Sequence, residues 1–193
     1  MKKKGLIILI AVAVVLVVLI SSVASSYNGF VDKQETVNKA QSNIEIQLQR
    51  RADLIPNFVE TVKGYSDYEQ STFTAVTEAR SAVTKAVDGG DVAAQAEASA
   101  QLDSAIDIWV NAVTEAYPEL KADKQYLALQ DELAGTENRI AVARKDYNEV
   151  VQQYNVSIRK FPSNIIAGIF GFDKAELFEA DESAQKAPTV DFS

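Results

Sequence analysis

Histidine and cysteine are both absent from this chain of 193 residues. Histidine is the commonest general base and transition-metal ligand, and cysteine is needed for disulfides, zinc–thiolate sites and thiol chemistry. Ser-His-Asp hydrolysis and the Glu-x-x-His motif of di-iron bundles are therefore excluded. An enzyme would depend on carboxylate, tyrosine or arginine chemistry alone. We therefore predict a protein that is not an enzyme, with no catalytic site, no metal site and no cofactor.

Helix-breaking residues and positive charge are also scarce. Two prolines, Pro56 and Pro118, and four glycines lie between residues 32 and 161. Alanine, glutamine, glutamate and lysine fill the positions between the apolar residues, which is a helical composition. The net charge is −8, and removing the three lysines at residues 2–4 leaves −11 for the rest. Because nucleic-acid binding requires a basic face, we expect no nucleic-acid partner.

Charge is entirely missing from the 27 residues between Gly5 and Val31. A bilayer core of about 30 Å requires ~20 apolar helical residues, and residues 6–24 supply that length. Basic flanks tend to stay in the cytoplasm, so the lysines at residues 2–4 predict a cytoplasmic N-terminus with the remainder outside. The alternative is a cleaved signal peptide, because Ser22-Val23-Ala24 fits a cleavage site. The apolar run is longer than the ~7–15 residues of such peptides, which favours a retained anchor.

Apolar side chains recur every seven residues in two parts of the chain. This spacing predicts one helix over residues 119–161 and a second over residues 25–63 that continues from the anchor. Arg51 occupies a seam position of the second series, between Ile44 and Phe58. The first series consists of Tyr126, Leu133, Ile140, Tyr147, Tyr154 and Phe161, and the second of Phe30, Val37, Ile44, Phe58 and Tyr65.

The helix breaks predict the topology. Gly64 is a helix stop, residues 66–69 form a capping box, and Asp91 is an N-cap after a glycine turn. Pro118 suits the first position of a final helix. We predict helices at residues 25–63, 67–87, 91–116 and 119–161. The predicted fold class is therefore all-α, with an N-terminal transmembrane helix continuous with a four-helix bundle. Because the connections are short, neighbouring helices are expected to run antiparallel, in an up-down-up-down arrangement.

An uncharged apolar cluster follows the predicted bundle. One hypothesis is that it lies on the bilayer or contacts another subunit. The alternative is that it folds back and caps the bundle core. The sequence also predicts a short helix from Asp173 through Phe178. The cluster consists of Ile165, Ile166, Ile169, Phe170 and Phe172.

These predictions divide the chain into five parts. They are a basic cytoplasmic flank (1–4), a transmembrane anchor (5–26), a helical bundle (27–161), an apolar membrane-proximal segment with a short helix (162–180), and a flexible tail (181–193).

Charged residues are densest near Arg51. A charge in an apolar seam requires a partner, and the antiparallel topology predicts that Glu137 faces Arg51. We interpret Arg50, Arg51, Glu137 and Arg144 as a structural charge layer that fixes helix register. The alternative is a binding site for an anionic ligand inside the bundle. Asn148 and Asn155, seven residues apart, are interpreted as further register residues.

Several motifs together resemble the LemA family. They are Arg50 to Asn57 continuing to Tyr65, Thr77 to Arg80, Thr136 to Arg144, Tyr147-Asn148, Tyr154-Asn155, Phe161 to Asn164, and Gly171-Phe172. The resemblance implies a bacterial single-pass membrane protein with a bundle of long helices. Some relatives are linked to magnetosome membranes, which suggests membrane organisation.

The predicted function is a scaffold or protein-interaction module at the bacterial cell membrane, acting by self-association. The expected partners are the lipid bilayer, further copies of the chain and an unidentified membrane protein. The alternative is an extracytoplasmic ligand-sensing bundle that signals through a partner protein.

Overall fold

The computed structural model describes residues 2–63 and 70–178, and within these two ranges the chain forms helices and turns without a strand. It divides into two compact units. We call Met1–Lys39 with Glu149–Ala175 the anchor unit, and Ala40–Asn148 with Glu176–Ser193 the core unit. The helices are α1 (Lys2–Lys63), α2 (Gln70–Gly89), α3 (Val92–Ala116), α4 (Lys124–Arg159) and α5 (Ser163–Phe170), and a 3₁₀ turn (Pro118–Ala122) precedes α4.

Helix α1 contains 62 residues without a break, so the predicted continuation from the apolar run into the next helix is confirmed. Pro56 lies inside it. Among the described residues, α1 is the one helix long and apolar enough to cross a membrane. None of its most apolar window is buried against the rest of the chain. A bare apolar surface of this kind is typical of a segment that contacts a membrane or another protein.

The turn between α2 and α3 matches its prediction. Gly90 adopts the left-handed conformation, with φ of 68°, which glycine tolerates without a Cβ clash. Asp91 then caps α3, because its carboxylate accepts hydrogen bonds from the amides of Ala93 and Ala94 at 2.9 and 3.2 Å. The predicted helix stop at Gly64 and the capping box at residues 66–69 lie outside the described residues.

The junction before α4 differs from the prediction. Pro118 begins the short 3₁₀ turn instead of the last long helix. The carboxylate of Asp123 accepts hydrogen bonds from the amides of Gln125 and Tyr126, both at 2.8 Å. Because Asp123 satisfies these amides as an N-cap, α4 begins at Lys124. It also ends at Arg159, before the predicted last residue, Phe161.

The predicted seams form the buried parts of both units. In the core unit, Phe58 lies against Trp109 and Tyr126, with ring centroids 5.0 and 5.1 Å apart. Among the described residues of the two series, Phe161 is the exception, since it lies beyond the end of α4 and is 82% exposed. Tyr65 of the second series lies outside the described residues. The buried seam residues of the core unit are Ile44, Leu48, Ile55, Phe58, Val62, Tyr126, Leu133, Ile140 and Tyr147, and those of the anchor unit are Phe30, Val37 and Tyr154.

Candidate functional site

Arg51 is the centre of a charged cluster in the core unit. Its side chain is 6% exposed, and its Nη1 forms ion pairs with the carboxylates of Asp103 on α3 and Glu137 on α4. The Glu137 oxygen accepts this hydrogen bond at 2.6 Å, so the predicted contact between Arg51 and Glu137 is confirmed. Sequence reasoning missed Asp103. One arginine on α1 thus forms ion pairs with both α3 and α4.

Arg144 is a second cation near these carboxylates. Its Nη2 donates a hydrogen bond to the Ser99 hydroxyl at 2.6 Å, and its guanidinium lies 4.8 Å from the centre of the Phe178 ring. Burial lowers the pKa of Arg144, although the charges of Asp103 and Glu137 oppose that shift. Together with Arg51, the cluster therefore contains two cations and two anions and has no net charge.

Burial is also the main influence on Asp103. It raises the pKa of this carboxyl above its ordinary 3.8, because a charge is poorly solvated there. The positive charge of Arg51 opposes the shift, and the negative charge of Glu137 adds to it. An anionic ligand entering the cluster would meet the negative charges of Asp103 and Glu137 as well as the two cations.

Arg50 lies apart from the cluster, although the sequence placed it in the same layer. Its Nη2 pairs with Glu132 at 2.6 Å, and both side chains are substantially exposed. Arg139 pairs with the same Glu132 oxygen at 2.9 Å. Neighbouring residues on a helix point about 100° apart, so Arg50 and Arg51 face different surroundings. Of the predicted layer, Arg51, Glu137 and Arg144 come together and Arg50 does not.

Two further polar contacts connect helices of the core unit. The Nε of Arg80 on α2 donates to the carbonyl oxygen of Ala52 on α1 at 2.8 Å. The buried amide of Gln95 on α3 donates to Glu45 on α1 at 3.0 Å. Within residues 2–63 and 70–178, no group of three or more carboxylates is placed to hold a metal ion. The polar groups described here hold helices together.

The two asparagines of α4 bind backbone, which the sequence did not predict. The Asn155 amide donates to the carbonyl of Ala175 at 2.8 Å and accepts from its N–H at 2.9 Å. Asn148 makes the same pair of bonds with Phe178, at 2.9 and 2.8 Å. Seven helical residues rise about 10.5 Å and three extended residues span about 10 Å, so the seven-residue spacing suits both pairs. Instead of the predicted role in helix register, the two asparagines bind the backbone of the segment that follows α5.

The predicted short helix at residues 173–178 is therefore wrong. This segment is not helical, since its backbone bonds with side chains of α4 instead. The Tyr147 hydroxyl also donates to the carbonyl of Glu176, at 2.8 Å. Burial raises the pKa of Tyr147, and the nearby Glu176 charge adds to this.

The apolar cluster after α4 forms α5, which lies in the anchor unit. Gly171 ends α5 with φ of 73°, and the next amide bonds back to the Ala167 carbonyl at 3.0 Å. This left-handed turn brings the Phe172 ring within 5.5 Å of Tyr27 and 5.3 Å of Phe30 on α1. Phe170 also contacts Tyr27, at 5.0 Å.

The members of the predicted apolar cluster differ in their surroundings. Ile165 and Ile169 are 54% and 72% exposed, and Ile166 is half-buried. Phe170 and Phe172 contact aromatic rings of α1, although Phe170 is still 49% exposed.

Two clefts lie beside α1 in the anchor unit. The first, of about 460 Å³, is apolar and is lined mainly by Leu19, Val23, Tyr27 and Phe170. The second, of about 410 Å³, is more polar and its lining includes Lys33 and Lys160. Both clefts belong to the segment of α1 where the apolar run ends.

Comparison with known proteins identifies relatives of this chain. Residues 40–192 match the sequence model of the LemA family. Magnetosome protein MamQ 2 of Paramagnetospirillum magneticum is 29% identical over 197 residues, covering 90% of this chain and 72% of that protein. Magnetosome protein MamQ of Magnetospirillum gryphiswaldense is 28% identical, covering 95% and 75%. Protein LemA of Metamycoplasma hominis is 28% identical, covering 80% and 69%.

The match with the LemA family extends over more than half of the chain, and the chain belongs to that family. The matched residues begin within α1, after the apolar run, and contain the whole charged cluster.

Proposed function

We propose that this member of the LemA family is a single-pass membrane protein that acts without catalysis as a scaffold or protein-interaction module, by self-association at the bacterial cell membrane. The observation that carries the proposal is that the buried charges of the protein are paired with one another, whereas the apolar side chains of its N-terminal segment are exposed. The buried charges of Arg51, Asp103, Glu137 and Arg144 neutralise one another. The apolar side chains of the anchor are bare. The magnetosome proteins among its relatives favour a role at a membrane.

The charged cluster supports a structural role more than a chemical one. Arg51 is paired with two carboxylates, and Arg144 donates to Ser99 and lies over the Phe178 ring. The Nε atoms of both arginines are buried without a hydrogen-bond partner. The ligand-sensing alternative has less support because Asp103 and Glu137 already balance the two positive charges.

We further propose that α1 to α4 form an up-down-up-down four-helix bundle. The contacts of Arg51 with α3 and α4, and of Arg80 on α2 with α1, support this arrangement. The lysines at residues 2–4 support a cytoplasmic N-terminus with the remainder outside the cell membrane.

Helix α5 has a proposed place at the bilayer surface. Its exposed Ile165 and Ile169 lie on the helix whose Phe170 contacts Tyr27, three residues after the apolar run of α1. Tyrosine is an aromatic residue that favours the headgroup level of a membrane. A short helix with bare isoleucines at that level would lie on the lipid with those side chains inserted.

A tryptophan in place of Ile169 tests the position of α5. The full chain is reconstituted in vesicles whose acyl chains are brominated near the headgroups. We expect the Ile169→Trp emission to be quenched relative to that of the wild-type protein, whose Trp109 is buried. Ile108→Trp is the control, because Ile108 is also largely exposed, at 62%, but lies on α3. Equal quenching of both variants, or of neither, would contradict the proposal.

Co-purification tests self-association. Two copies with different tags are expressed together, crosslinked in native membranes and purified through one tag. We expect the second tag to be recovered. Replacing two bare isoleucines by glutamine, at residues 165 and 169 or at residues 46 and 108, then compares exposed apolar positions of the anchor unit with those of the core unit. Failure to recover the second tag from the wild-type chain would refute self-association.

A further inference from the structure

The more polar cleft of the anchor unit has two lysines in its lining. It lies between α1 and the end of α4 with the start of α5, and its volume is about 410 Å³. Lys33 and Lys160 line it together with serines 26, 157 and 163 and Gln153. No carboxylate lines it. In a chain with a net charge of −8, a cleft with cations and no acid is a local reversal of charge.

The lysines of this cleft have their charges available. In the part of the chain that the structure describes, residues 2–63 and 70–178, neither Lys33 nor Lys160 forms an ion pair. The arginines of the charged cluster, in contrast, are bound by carboxylates, a hydroxyl or an aromatic ring. The Ser157 hydroxyl donates to the Tyr154 carbonyl at 2.7 Å, so Ser26 and Ser163 are the serines with hydroxyls to offer. Two unpaired ammonium groups beside these hydroxyls form a site suited to a phosphate group.

The position of the cleft along α1 selects the source of the phosphate. If Ala24 marks the end of the hydrocarbon core, Ser26 and Gly29 lie about 3 and 7.5 Å beyond it along the helix. The headgroup layer on each side of a bilayer is about 5–7 Å thick. Lys33 starts farther out, and a lysine side chain can extend back towards the phosphates. The cleft thus lies at the depth of lipid headgroups.

The floor of the cleft also fits a lipid better than free phosphate. Phe30 and Val156 line it among the polar groups, and Phe30 is buried. The glycerol ester region of a phospholipid would cover the exposed Val156 side chain while its phosphate meets the lysines.

We infer that the cleft lined by Lys33 and Lys160 binds the headgroup of an anionic phospholipid. The bound lipid fixes the depth and rotation of α1 in the bilayer. This inference requires the membrane anchor of the proposed function, but it does not require self-association.

Native mass spectrometry of the full chain tests the inference. The protein in mild detergent is given equal amounts of phosphatidylglycerol and phosphatidylcholine, and the lipid retained on each chain is counted. We expect the wild-type chain to retain phosphatidylglycerol preferentially. The double variant Lys33→Gln/Lys160→Gln should lose roughly tenfold or more of that preference, since each lysine near anionic lipid contributes about a factor of five or more.

Matched variants make the result specific. Lys39→Gln/Lys85→Gln removes the same charge from exposed sites outside the cleft and should keep the preference. Lys33→Arg/Lys160→Arg keeps the charge and should also retain it. Equal loss in both glutamine variants, or no loss in Lys33→Gln/Lys160→Gln, would overturn the inference.

Two further arms of the experiment distinguish a lipid from free phosphate, and lipid binding from self-association. Displacement of the lipid by inorganic phosphate, beyond that caused by chloride at the same ionic strength, would overturn the assignment to a lipid. The mass spectrum also gives the number of chains independently. A monomer that retains phosphatidylglycerol supports the inference while contradicting self-association, and an oligomer without lipid preference does the reverse.

Discussion

The two units of this protein treat charged and apolar groups in opposite ways. The core unit buries Arg51 and pairs its charge with Asp103 and Glu137. The anchor unit leaves Ile165 and Ile169 bare and the charges of Lys33 and Lys160 unpaired in a cleft. A charge that is paired inside the chain links parts of the fold, whereas a charge or an apolar side chain left without a partner is available to something outside it. The core unit is therefore where substitutions should reduce stability, and the anchor unit is where they should change contacts.

The strongest way to break this comparison is to remove the central cation. Arg51→Met leaves Asp103 with Arg144 as its remaining nearby cation, and we expect a loss of about 3 kcal/mol in the free energy of unfolding. Urea denaturation of the full chain in mild detergent measures it. Arg50→Met is the control, because its pair with Glu132 is exposed and is worth under about 1 kcal/mol. Equal losses of unfolding free energy in the two variants would show that the buried ion pairs of Arg51 stabilise the fold no more than the exposed pair of Arg50.

A second prediction concerns the asparagines of α4. Asn155→Ala removes two hydrogen bonds to Ala175, which is about 2 kcal/mol of local stability. We expect hydrogen exchange of the Ala175 amide to accelerate roughly tenfold or more. Asn138→Ala, on the exposed face of the same helix, should leave that amide unchanged. Unchanged exchange in Asn155→Ala would mean that the asparagine does not hold the segment.

The smallest predicted effect is a pH dependence in the core unit. Burial raises the pKa of Asp103 in the folded chain above its ordinary 3.8. Its titration therefore favours folding most below pH 3.8, and this contribution is lost as the pH rises through the folded pKa. The difference in unfolding free energy between the wild type and Asp103→Asn should therefore decrease as the pH is raised from below 3.8 through the folded pKa of Asp103. A difference for Asp103 that grows with pH would contradict the account.

Local chemistry made much of the fold predictable. The uncharged run and the seven-residue spacing predicted an unbroken α1, and Asp91 indicated the start of α3. The contact of Arg51 with Glu137 followed because an arginine in an apolar seam needs a partner. The first two features depend on residues close together in the sequence, and the third depends on the need of a buried charge for a partner.

The missed features depend on contacts between distant parts of the chain. Asp103 looks like any acid on a solvated helix face until α3 is packed against α1. The asparagines gave a signal in their spacing, but the backbone they bind belongs to a segment predicted as helix. Pro118 predicted the start of the last helix, and the cap formed by Asp123 was missed. Phe161 continued the spacing beyond the end of α4 and is exposed.

The mass of the full chain in mild detergent tests the central claim, self-association at the membrane, most directly. Light scattering after size separation, corrected for bound detergent, gives the protein mass alone. The account predicts at least twice the 21.0 kDa of one chain, for protein extracted from its own membrane after brief crosslinking. A mass of 21.0 kDa at every concentration, with no other protein attached, would contradict the scaffold function.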